Sequence, residues 1–91
     1  MNCPPIDSKI ALLGYVITDL NDIELAISVV DDPALIHEYE QDRTALIKEL
    51  IEVSNRCIIL LEAYMQDCKE QNLPPYINYF RILRELRRSI K

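Results

Sequence analysis

Two sets of charged residues stand where they could act. In the C-terminal stretch, Arg81, Arg84, Arg88 and Lys91 recur at the three- and four-residue spacing that puts side chains on one face of a helix. A face of four cations suits docking of an acidic protein or, in a second reading, of nucleic-acid phosphates. The other set is a pair, Asp19 and Arg43, each embedded in apolar neighbours. Leu12, Ile23 and Ala26 surround the acid, and Ile36, Leu46 and Leu50 surround the base. Charges in such arcs are expected to meet as a buried ion pair that fixes the register of two helices, or to anchor a carboxylate of a partner or ligand.

Most other chemistry is excluded by what the chain lacks. His37 is the only histidine, and the string His37-Glu38-Tyr39-Glu40-Gln41 has no second histidine four residues on, as a zinc-binding helix requires. Glu49 and Glu52 have the spacing of helical carboxylate metal sites, but those draw histidines from two helices. Glu52 is better matched to Arg56, four residues on, as surface support for a helix. The lone glycine, Gly14, excludes glycine-rich phosphate loops, and no serine has a histidine to activate it. Neither a catalytic set, a metal site nor a cofactor is therefore expected, and the chain reads as a non-enzyme.

Three cysteines, Cys3, Cys57 and Cys68, form no paired framework; Cys57 and Cys68 fall on the apolar side of their helix and read as small buried thiols. No apolar run reaches the roughly eighteen residues of a membrane span, and the first residues lack the basic and apolar regions of a signal peptide. A soluble, cytoplasmic protein is the expectation.

The elements that carry these residues are delimited by proline. Pro4, Pro5, Pro33, Pro74 and Pro75 are the only prolines, so nothing interrupts a helix between Pro33 and Pro74. The chain reads as a single all-α domain, 1–91, with helices over about 8–29, 33–71 and 76–90. An extended lead through Pro4 and Pro5 precedes the first, with Asp7 or Ser8 as its cap. Asp32 caps the second, with Pro33 at its first position, and so short a connection makes an antiparallel hairpin. Leu46, Leu50, Val53, Cys57, Leu60 and Tyr64 keep a coiled-coil seam on the long helix, and Ile47, Ile51, Ile58, Leu61 and Met65 form a second stripe beside it.

Lengths and charges extend the reading. A first helix folded back from Asp32 reaches about Arg56, which leaves Cys57 to Cys68 for the third helix. Helices one and three would then lie end to end along helix two, unless a kink near Ser54-Asn55 compacts the molecule. Two adjoining stripes and 49% hydrophobic residues exceed what these helices cover, so the bundle is expected to be completed by homodimerisation. The net charge is −5, but residues 1–75 hold fourteen acids against five bases, and residues 76–91 five bases against Glu85. The acidic body disfavours general binding of nucleic acid.

The hairpin with Asp42-Arg43-Thr44-Ala45-Leu46-Ile47-Lys48-Glu49-Leu50 on its second helix resembles small secretion and flagellar export chaperones, which are acidic helical hairpins. The resemblance covers about half the chain and carries over no site residues. Together these features point to a small acidic protein–protein interaction module, a chaperone, inhibitor or regulatory subunit. The alternative is a nucleic-acid-associated regulator that uses the basic C-terminal face.

Overall fold

The computed structural model describes residues 4–89, and these form three helices: α1 (Pro4–Val29), α2 (Pro33–Glu70) and α3 (Ile77–Ser89). The all-α hairpin with a long central helix and a short C-terminal one is as the proline spacing predicts. α1 differs from expectation at its start. Pro4 and Pro5 are not an extended lead but its first turn, where a missing N–H leaves no hydrogen bond unmade. Gly14 lies within α1, and apart from the backbone of its own helix nothing comes within 4 Å of the place a Cβ would occupy. It is a weak point in the helix and not a site of close helix contact.

Residue-level chemistry also sets the ends of α2. The Asp32 carboxylate accepts the Ala34 N–H at 3.0 Å, with Asp32 in an extended conformation and Pro33 following it. At the other end Asn72 takes φ 54°, the left-handed conformation that turns the chain out of a helix. Leu73 N–H then bonds Cys68 C=O at 2.9 Å and Asn72 N–H bonds Lys69 C=O at 3.3 Å, the paired bonds of a Schellman cap. Thirty-eight residues at 1.5 Å each give about 57 Å, and the molecule measures 58 × 21 × 18 Å. α2 is therefore straight, spans the full length, and has no kink at Ser54-Asn55.

The end-to-end arrangement of α1 and α3 is not what forms. After Asn72 the chain runs back along α2, and the Tyr76 N–H bonds the Tyr64 hydroxyl at 2.9 Å. That return uses up chain before α3 begins, so α3 is shifted toward the middle of α2 and lies beside the first half of α1. Both shorter helices run antiparallel to α2, and they reach each other through side chains, Tyr79 to Asp7 and Leu86 beside Leu13. The core sits in this three-helix half: Ile6, Leu13, Val53, Cys57, Leu61, Tyr79, Leu83 and Leu86, with Leu61 and Cys57 almost wholly enclosed.

Among the described residues, only α1 and α2 continue past the C-terminal end of α3, joined at Val30-Asp31-Asp32. Between Val16 and Val53 no residue is buried, although Leu20, Ile23, Ile27, Leu35, Ile36 and Leu46 line the seam and are half-buried. Two helices can hide only one strip of surface each. The thick half thus has an interior, and the thin half has only a seam.

Candidate functional site

The basic face is built as the periodicity of α3 dictates. Tyr79, Leu83 and Leu86 turn inward, and Ile77, Arg81, Arg84 and Arg88 fall on the opposite side at the four-, three- and four-residue spacing of one helical face. All four are exposed. Arg88 lies 3.6 Å from Glu85 on its own helix, whereas Arg81 and Arg84 have no ion-pair partner among the described residues. Arg87, beside the stripe, reaches across to Glu62 of α2 at 3.4 Å and ties the acidic body to the basic helix. Lys91 lies outside the described residues.

Asp19 and Arg43 do not form the buried pair expected of them. Asp19 is exposed, Arg43 is half-buried, and the ion pairs among the described residues are Glu52–Arg56, Glu62–Arg87 and Glu85–Arg88. The reason is the direction in which α1 meets its neighbours. The enclosed residues Leu13 and Val16 define its inner side, and Asp19 falls on the margin of that arc, at the lip of a groove.

That groove, about 470 Å³, opens between the helices of the thin half. Ile23, Ala45 and Leu46 form its apolar floor, and Asp19, Asp22 and Asp42 stand at its edges. Asp42 and Ile51 are nine residues, or two and a half turns, apart, which puts them on opposite sides of α2. Because Ile51 lines the recess next to α3, the acidic groove opens on the face of the hairpin away from α3.

A tyrosine cluster holds α3 in place and was not anticipated from sequence. Tyr64 and Tyr76 each present an edge-to-face contact to Tyr79, with ring centroids 5.1 and 5.0 Å apart and planes near perpendicular. The Tyr79 hydroxyl donates to the Asp7 carboxylate. Asp7 was expected only as a cap; the signal for its other role was three tyrosines flanking the Pro74-Pro75 break, since a buried tyrosine hydroxyl needs a partner.

The remaining candidates are ordinary surface or core groups. His37 is exposed and its Nε2 lies 3.2 Å from the Gln41 side-chain nitrogen. Glu52 and Arg56 pair at 3.2 Å as their spacing predicts. Burial pushes the Cys57 thiol above its usual range, with the charge of Lys9 pulling the other way; Cys68 is half-buried, and Cys3 lies outside the described residues. Among the described residues no group of three or more His, Cys, Asp or Glu could hold a metal ion, and no helix is long and apolar enough to cross a membrane. Comparison with known proteins finds no matching family model, no similar curated protein and no similar solved structure.

Proposed function

We propose that this chain is a non-catalytic protein–protein interaction module, a helical chaperone, inhibitor or regulatory subunit, that pairs with a second copy and holds another protein in its acidic groove. One observation carries the reading: thirty-six consecutive residues of a 91-residue chain, 17–52, contain no buried side chain. Many of them are Ile, Leu and Val. Val29 and Leu25 are 71% and 64% exposed, and apolar surface left open along half a molecule marks a place where another chain packs. The apolar floor and acidic edges of the groove fit an amphipathic partner that brings both apolar and basic groups.

The test is capture from native lysate after nuclease treatment, with the tagged wild-type chain and an Ala45→Arg variant compared side by side. Ala45 is exposed on the groove floor, so arginine there obstructs the groove without entering the core. A protein retained by wild type and lost with Ala45→Arg supports the reading. Equal recovery by both removes the groove from it, and recovery that depends on nucleic acid favours the alternative of a nucleic-acid-associated regulator.

A further inference from the structure

The molecule is a step. Over one half α3 rides on the α1–α2 layer; over the other half the same face of that layer is bare. At the foot of the step lies a recess of about 190 Å³, which brings Ile17 of α1 and Ile51 of α2 next to the end of α3, Leu86 and Ser89. Ile47 precedes Ile51 by one turn and so continues the face toward the Asp32 turn, and Glu24 and Glu40 follow at two turns from Ile17 and Ile47. Ile17, Ile47 and Ile51 are 43%, 41% and 53% exposed. The bare tread, from Pro33 to Leu50 along α2, is about 27 Å long, and α3 is about 20 Å long. The riser fits the tread.

Charge selects how it is filled. On the tread face stand Glu24 and Glu40, whereas Asp19, Asp22 and Asp42 line the groove on the far side; the outer face of α3 carries Arg81, Arg84 and Arg88, with Arg87 paired to Glu62 of its own chain. Two chains joined by their thin halves would place acid on acid, and two joined through their α3 faces would place arginine on arginine. Only an antiparallel pairing brings opposite charges together at both ends.

We propose that a second copy of this chain fills the step: two chains pair antiparallel about a two-fold axis, with the Ile77, Arg81, Arg84 and Arg88 face of each α3 seated on the Ile17, Glu24, Glu40 and Ile47 face of the other. This rests on the reading of the chain as one that pairs with a second copy through its thin half, and adds the face and the register of that pairing. The product has five helices at every level along its length, and α3 has a hairpin on both sides. Ile17, Ile47 and Ile77 supply its apolar contacts. The arginine–glutamate pairs choose the orientation more than they add affinity, so pairing weakens with salt. The acidic groove lies on the far face and stays open to a third chain.

The experiment exchanges charge across the interface in the full chain. One variant carries Arg81→Glu and Arg84→Glu, the other Glu24→Arg and Glu40→Arg; all four positions are exposed, and thermal melting checks that each variant folds. If either fails to fold, Arg84→Glu and Glu40→Arg singly make the same exchange. By light scattering at micromolar concentration and low salt, wild type is expected at twice the chain mass of 10.6 kDa. Each variant alone is expected at the mass of one chain. Their equimolar mixture is expected to recover the doubled mass, because the altered α3 then meets the altered hairpin and the two wild-type faces meet each other. Doubled mass in both variants, unchanged on mixing, overturns this arrangement and leaves pairing by another face. Wild type at the mass of one chain overturns pairing itself.

Discussion

The hydroxyl of Tyr79 in α3 donates to the carboxylate of Asp7 in the first turn of α1, seventy-two residues earlier in the chain. It is the one hydrogen bond found between these two helices among the described residues, and it sits where Tyr64 and Tyr76 already clamp the ring of Tyr79. The bond joins the start of α3 to the start of α1 beside the apolar packing of Ile6 and Leu13 with Leu83 and Leu86. Tyr79→Phe and Asp7→Ala are each expected to destabilise the chain by about 0.5 to 1.5 kcal/mol, the usual net range for a hydrogen bond, because Asp7 is exposed. A double-mutant cycle followed by urea unfolding should give less than the sum of the two losses. Additive losses would mean that the two residues act separately.

Gly14 offers the opposite sign. With no neighbouring helix or side chain within 4 Å of a Cβ at this position and a helical backbone on both sides, Gly14→Ala adds nothing that collides. The substitution is expected to stabilise by about 0.5 to 1 kcal/mol through a better helix propensity and a less flexible unfolded chain. A thermal midpoint that falls would show that the glycine is needed for contact with another chain.

Core truncation should separate the two halves of the molecule. Leu61 is wholly enclosed and Leu83 nearly so, and their change to Ala is expected to cost about 2 to 5 kcal/mol each. Leu25→Ala, at an exposed position of the thin half, is expected to change stability by less than about 0.5 kcal/mol. Chemical denaturation of the three variants under one set of conditions checks the contrast.

The cap of α2 rests on one left-handed residue. Asn72→Ala is expected to cost about 1 kcal/mol, because alanine lacks the side chain that tolerates φ 54°, and Asn72→Gly should lose nothing. Equal melting of all three proteins would place the end of α2 under the control of Pro74-Pro75 instead.

Burial gives Cys57 a pH dependence. Its thiol ionises at higher pH in the folded chain than in the unfolded chain. Below the ordinary thiol range both forms are protonated and the contribution to stability is complete. As pH rises past that range the unfolded chain loses its proton first, so stability falls until the folded thiol ionises as well. Wild type is expected to lose stability faster than Cys57→Ala on going from neutral to alkaline pH, although Cys57→Ala starts lower. Parallel curves would contradict a thiol held neutral by burial.

How much of this was legible depends on whether a feature is local. Pro33 and Pro74 act on their own neighbours, so the ends of α2 followed from sequence to within a residue. The outward arginine face of α3 did too, because Leu83 and Leu86 leave it only one way to turn. Asp19 and Arg43 failed for a different reason. The apolar arc of α1 is broad, running through Leu12, Leu13, Val16, Leu20 and Ile23, and a broad arc does not say which part of it meets α2. The stagger of α3 was illegible because it depends on the Tyr76–Tyr64 and Tyr79–Asp7 bonds, which join residues far apart in the chain.

The continuity of α2 governs how this molecule comes apart. Residues 33–52 have no core beneath them, yet they are the same helix as residues 53–70 and need no nucleus of their own. A single chain therefore frays from the Asp32 turn inward, one helical turn of the hairpin after another, instead of losing its thin half in one event. Amide exchange should be fastest near Asp32 and slow progressively toward Val53, a gradient and not a boundary. A helix probe then reports melting before a probe beside Tyr79 does, and the difference measures how much of the chain stands without a core.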